Sequence, residues 1–275
     1  MPMYDAAAAA AFGPGGSLPP GPLPSADARD ESSEALPADG SLPTELAEAA
    51  HRLFGERLDL ASAYAKLLVT DGVVRGLIGP REAPRIWARH LLNCAAVVEL
   101  IPPKATLTDV GSGAGLPGLV LAVARPDLAV TLVEPLARRA TFLSEVVAKL
   151  DLEGSVTVVR ARAEELVGPA AVGDVPLADI VTARAVAPLD RLAGWCLPLA
   201  AVGGRLLALK GASAADEVAE HRAAVERLGG GTPVVRRCGV GLIEPPTTVV
   251  EVVRANAARP VRPARKTSRS RRRSG

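Results

Sequence analysis

The 275-residue chain has only three cysteines, Cys94, Cys196 and Cys238, and no CxxC pair among them. Their scarcity excludes a disulfide framework and a cysteine-rich zinc site, and it fits a reducing compartment. Long apolar runs are missing too: none approaches the roughly 18 residues that cross a bilayer. The first eleven residues carry Asp5 and a short alanine run where an export signal needs a cationic start. A soluble, cytoplasmic protein with no metal and no membrane association is therefore expected. Lysine is scarce as well. Five of the 32 cationic side chains are lysines, so an arginine alone is weak evidence of function in this chain.

The composition that remains, 48% apolar and 23% charged, is enough to bury one good core. The net charge of +2 conceals a division between the ends. Residues 1–43 are rich in Gly, Pro, Ala and Ser with scattered acids and have no apolar period, so they are expected to be disordered. Residues 254–275 hold nine cations and no acid. They read as a flexible basic tail suited to a polyanion, most often nucleic acid.

Between the ends the texture changes once. From Thr44, a helical N-cap candidate after Pro43, the apolar spacing is helical through Leu46, Ala49, Ala50 and Leu53, then from Leu58 to Ile78. A further helix is expected from Pro84 through Trp87, Leu91 and Ala95 to Leu100, closed by Pro102 and Pro103. After Ala105, β-rich runs alternate with helical ones. Strands are expected at 106–110, 130–134, 156–160, 180–183 and 205–209, and helices at 116–124, 136–150, 189–199 and 214–228. Such alternation implies right-handed crossovers and a parallel sheet. Two last runs, 234–238 and 247–253, have no room for a helix between them and should pair antiparallel.

The most informative segment runs from Leu107 through Asp109, Gly111, Ser112, Gly113, Ala114, Gly115, Leu116 and Pro117 to Gly118. A β-run ends in an acid, a glycine-rich turn follows, and a helix opens. Glycines let the backbone lie against a ligand, and a helix N-terminus offers free N–H groups. The pattern reads as a nucleotide-like ligand at the first crossover, and Gly113 to Gly118 also satisfies the dinucleotide GxGxxG spacing. Glu134, ending the second β-run, is placed to hold two ribose hydroxyls with either cofactor. Asp109 favours one of them. A carboxylate at the turn's entrance repels a pyrophosphate but suits the ammonium of S-adenosylmethionine.

Joined with Arg89-His90-Leu91-Leu92, Arg138-Arg139-Ala140-Thr141-Phe142-Leu143, Thr182-Ala183-Arg184-Ala185 and Ala208-Leu209-Lys210-Gly211, this segment resembles the glucose-inhibited division protein B family. These are bacterial small-subunit ribosomal RNA methyltransferases acting on guanine N7. The resemblance covers roughly residues 45–253. It implies an α/β, class I S-adenosylmethionine-dependent methyltransferase fold: a Rossmann-like, seven-stranded, mostly parallel sheet at 105–253 under a helical cap at 44–104. The implied cofactor is S-adenosyl-L-methionine, and the implied partner is 16S ribosomal RNA or a small-subunit precursor. Gly111 and Leu116 are implied to bring backbone against the cofactor, Ala163 and Glu164 to meet the adenine edge, and Arg184 to meet the methionine carboxylate or an RNA phosphate. Asp109, Gly113 and Glu134 complete the expected cofactor site. An Asp is also familiar in the family at the position of Glu134.

The target base is narrowed by what is missing. Enzymes that methylate exocyclic amines carry an Asn/Asp-Pro-Pro-aromatic run after the fourth strand, where this chain has Thr182-Ala183-Arg184-Ala185-Val186. Cytosine C5 chemistry needs an accessible thiolate, whereas Cys196 lies in a helical run beside Trp195. Guanine N7 has a free in-plane lone pair and needs alignment rather than a general base. No catalytic acid or base is therefore assigned, and His90 reads as a packed or capping residue. Arg85, Arg89 and Lys210 are the expected RNA contacts, with Arg138 and Arg139 near the same edge. Two alternatives stay open: a methyltransferase of this fold acting on a small molecule or protein, and a non-catalytic nucleotide-binding regulator.

Overall fold

β-rich runs with helical segments between them build one seven-stranded sheet in the computed structural model, which describes residues 38–256 apart from 169–170, 172–174 and 185–186. The strands are β1 (Thr106–Val110), β2 (Ala129–Val133), β3 (Val156–Val159), β4 (Ala178–Arg184), β5 (Ala200–Lys210), β6 (Val234–Cys238) and β7 (Thr247–Val253). Their order is β3-β2-β1-β4-β5-β7-β6, and only β7 runs against the rest. This is the class I methyltransferase sheet. The order reverses between β1 and β4, and a crevice opens there beyond the carboxyl ends of the strands.

The helices are α1 (Ala47–Phe54), α2 (Leu58–Leu67), the one-turn α3 (Leu92–Ala95), α4 (Gly118–Ala124), α5 (Ala137–Lys149), α6 (Leu189–Cys196) and α7 (Ala214–Arg227). Alternate residues of each strand feed two apolar layers. Leu107, Val130, Leu132, Leu207 and Leu209 face one, which includes α4, α5 and the helical cap; Val110, Val133, Leu206 and Ala208 face the other, under α6 and α7. Every residue from Gly118 to Val123 is buried, because α4 is packed between the sheet and the cap helices. A helix that is apolar all round can only sit inside.

Several boundaries differ from the sequence expectation. The folded body begins before Thr44: Gly40 is buried, and its carbonyl accepts the Trp87 indole N–H at 2.9 Å. It also continues past Val253. Arg254 is buried and bonds the carbonyls of Pro198 and Ala200, so it belongs to the body, which leaves eight cations in 257–275. Residues 1–37 and 257–275, most of the two segments expected to be disordered, lie outside the described residues. The helix expected from Pro84 starts instead at Pro80, as a 3-10 segment (Pro80–Arg85) followed by a π segment (Ile86–Leu91) before α3. Pro84 has no N–H to donate, and the run around it departs from α geometry. α4 starts at Gly118 rather than Leu116, because Gly115 and Leu116 still donate to the Ser112 carbonyl within the turn.

Candidate functional site

The glycine turn is made by three residues with left-handed backbone, Gly111 (φ +70°), Gly113 (φ +60°) and Gly115 (φ +99°). The N–H groups of Gly111 and Ser112 both donate to the Val133 carbonyl, which ties the turn to the end of β2. Two close approaches leave no room for side chains. A Cβ on Gly115 would lie 2.6 Å from the Tyr64 hydroxyl, and one on Gly118 would lie 2.7 Å from the Asp109 Cβ. From the cap, the buried Tyr64 hydroxyl donates to the Ala114 carbonyl at 2.6 Å.

The Asp109 carboxylate is fully buried behind the turn. Its Oδ1 accepts the Thr182 hydroxyl at 2.8 Å and its Oδ2 the Gly118 N–H at 3.1 Å. Burial pushes its pKa above the ordinary carboxylate value, against the pull of those hydrogen bonds and the Arg184 charge. The carboxylate from which sequence expects an ammonium contact thus also fixes β1, β4 and the start of α4 together. Glu134, also buried, clamps the turn from the other side: Oε2 accepts the Gly113 N–H at 2.9 Å and Oε1 the Leu136 N–H at 3.0 Å. Each carboxylate oxygen keeps a further lone pair for a hydroxyl.

Beyond Glu134 lies an open apolar slot of about 250 Å³, walled by Val110, Gly111, Val133, Pro135, Ala161 and Ala163, with Glu164 and Arg162 at its rim and Trp195 beside them. Leu116 is buried in the turn and does not line this slot. An apolar slot of this size beside a buried carboxylate fits a planar base joined to a sugar. Sequence alone does not mark Trp195, since a tryptophan next to a cysteine in a helical run reads as core. Its one distinguishing signal is that the chain has only two tryptophans.

A larger cavity of about 450 Å³ opens across the switch point, at the ends of β4, β5 and β6 and the start of β7. It shares no lining residue with the slot. Its wall is basic, with Arg89, Arg184, Lys210 and Arg237, and it includes Asn93, Cys94 and the Pro245–Thr248 stretch. Of the expected RNA contacts, Arg89 lines it and is largely exposed, whereas Arg85 is exposed but does not line it. Lys210 also lines the cavity, but its side chain is only 9% exposed and its ammonium already donates to the Ala187 carbonyl (2.8 Å) and Glu217 (2.9 Å). A lysine so engaged staples α7 to the start of α6 rather than offering a free cation. Arg138 and Arg139 sit on the first turn of α5, where neither lines this cavity, and the Arg139 Nε is buried without a partner. Arg237 and Asn93 were not legible as site residues.

Arg184 ends β4 half-buried, its Nη1 2.9 Å from His90 Nδ1; the His90 Nε2 lies 3.0 Å from Glu82. Burial and the Arg184 cation hold His90 down at about 4. Cys94, beside Arg184, is pushed up to about 11 by burial, so its thiol stays protonated at neutral pH.

The profile of the family described as rRNA small subunit methyltransferase G (GidB) matches residues 57–240. Ribosomal RNA small subunit methyltransferase G of Salinispora tropica is 71% identical over 221 residues, covering 80% of this chain and 91% of that protein. The proteins of the same name from Rhodococcus jostii and Mycolicibacterium smegmatis are 56% identical over 217 residues and 50% over 237, covering 93% and 98% of their lengths and 78% and 86% of this chain.

Proposed function

Because the chain belongs to the GidB family of small-subunit ribosomal RNA methyltransferases, we infer that it transfers the methyl group of S-adenosylmethionine to N7 of a guanine in 16S ribosomal RNA. The observation that carries this reading is the pair of unlike cavities on the two sides of the switch point. An apolar slot beside a buried carboxylate suits an adenosine, and a basic chamber suits a nucleotide of an RNA. When bound, the cofactor supplies an electrophilic methyl carbon on a sulfonium.

The chain's own residues have binding and alignment to do. Gly111, Gly113 and Leu116 shape the backbone of the turn, and Asp109 holds that turn against β4. Glu134 takes the ribose hydroxyls, while Ala163, Glu164 and Trp195 hold the adenine. Arg184 meets the methionine carboxylate or a phosphate, and Arg85, Arg89 and Arg237 attract the RNA backbone without reading its sequence. Guanine N7 needs no base to unmask its lone pair. In agreement, the two residues near the cavity that could do other chemistry are both spoken for: the Cys94 thiol is protonated, and both ring nitrogens of His90 are engaged. The alternatives of a small-molecule methyltransferase or a non-catalytic regulator are not favoured by relatives named as ribosomal RNA methyltransferases.

Cytoplasmic action on 16S RNA or a small-subunit precursor follows from this reading. Among the described residues, no helix is long and apolar enough to cross a membrane. The test is mass mapping of 16S RNA from cells with and without the gene. Loss of one 7-methylguanosine, restored by the purified chain with S-adenosylmethionine, is the expected result. An unchanged RNA, or a lost methyl group on another atom, overturns the assignment.

A further inference from the structure

The hydrogen-bond chain at the mouth of the larger cavity has a direction. A guanidinium can only donate, so the contact between Arg184 Nη1 and His90 Nδ1 requires a lone pair on Nδ1. The single proton of the neutral ring is then on Nε2, facing the Glu82 carboxylate, which accepts it. One tautomer satisfies both ends. An imidazolium would set an N–H against the guanidinium N–H, like charge against like charge. Glu82 also pairs with Arg89 at 3.6 Å, so it links both arginines that flank this part of the cavity. The charged and titratable groups facing His90 are therefore Glu82, Arg89 and Arg184, with the Cys94 thiol 4.0 Å from Arg184.

We propose that Glu82 and His90 are positioning residues that hold the Arg184 guanidinium at the mouth of the cavity for an anionic oxygen of cofactor or RNA. The inference rests on the functional reading above and adds the residues that aim Arg184. A neutral His90 takes up one N–H of the guanidinium without neutralising its charge, which leaves the other donors and the full cation for the ligand. A carboxylate in the place of His90 would fix the arginine equally well but cancel its charge. His90 sits near the C-terminal end of the π segment, and Glu82 lies eight residues back in the 3-10 segment before it, so one continuous run carries both partners.

The test uses the full-length chain, with S-adenosylmethionine affinity by calorimetry and kcat and KM on small-subunit RNA lacking the modification. His90→Leu should reproduce the loss of Arg184→Ala, about tenfold or more as for a hydrogen bond to a charged group. The double variant should be no worse than Arg184→Ala alone. His90→Asn, whose side-chain oxygen can replace Nδ1 as acceptor, should recover most of the loss. Glu82→Ala, at a more exposed position, should show the same defect in weaker form. A loss in cofactor affinity identifies a carboxylate as the anion met by Arg184, and a loss confined to KM for RNA identifies a phosphate; either supports the proposal. Multiplicative losses in the double variant, no rescue by Asn, or a wild-type His90→Leu would overturn it. Nitrogen-15 shifts of the His90 ring provide an arm independent of the RNA. A bare Nδ1 and a protonated Nε2 at neutral pH are expected, and a protonated Nδ1 overturns the proposal even if methylation is as assigned.

Discussion

Asp109 does more for the turn than its charge suggests. Replacing it with Ala would strand two buried donors, the Thr182 hydroxyl and the Gly118 N–H, and should cost about 2–4 kcal/mol. Asp109→Asn should cost clearly less, because the Thr182 hydroxyl can rotate to accept from the new amide. Equal denaturation midpoints for the two variants would contradict this account. His90 gives a pH signature with a definite sign. Its folded pKa, about 4, lies below the ordinary 6.5, so the unfolded chain binds the proton first. Its contribution to stability is complete above pH 6.5 and is lost as pH falls from there through 4, on the order of 3 kcal/mol in total. Unfolding curves across that window should slope less for His90→Leu than for the native chain. A third residue, Trp195, should show itself in cofactor affinity: Trp195→Ala should weaken S-adenosylmethionine binding about tenfold, the scale of base–aromatic stacking. Unaltered calorimetric affinity would remove it from the adenine slot.

Among the elements, β6 and β7 fall at the bounds expected from sequence, because Pro233, Gly239 and Pro246 punctuate them. β5 was half legible. Its first residues hide behind Gly203 and Gly204, and Gly204 is needed there since a Cβ would lie 2.9 Å from the carbonyls of Ala178, Asp179 and Ala201. No local pattern announces such an approach. The cap was legible as helical but not in its geometry. The π turn after Pro84 packs against α2, a tertiary constraint that adds to the missing Pro84 N–H. The end of β7 is secured by Arg254, which sequence alone assigned to the tail. Arg254→Ala should lower stability by about 2–4 kcal/mol, through the unpaired carbonyls of Pro198 and Ala200. A change below 0.5 kcal/mol in urea unfolding would return that residue to the tail.

At the scale of the whole molecule, the glycine turn and the acids around it were legible because they lie together in the chain. Trp195, Asn93 and Arg237 were not, because only the strand order brings them to the same sheet edge. The polyanion contact expected from sequence for the eight cations of 257–275 has its own test. Removing that stretch should weaken RNA binding most at low salt and flatten its salt dependence, by roughly 0.7 in slope per phosphate no longer neutralised on single strands, with the methylated nucleotide unchanged. An unaltered slope would make the stretch a bystander.

The hydroxyl of Tyr64 on the carbonyl of Ala114 has a further consequence, for modularity. A cap that reaches into the cofactor turn, and shares an apolar layer with α4 and the sheet, cannot be exchanged as a recognition cassette between enzymes. Cutting near residue 104 would expose one whole face of α4 and leave the turn without its lid of side chains. The smallest transferable unit is therefore expected to be the entire body from about residue 38 to Asn256. Grafting a foreign N-terminal section is accordingly expected to disturb the cofactor turn as well.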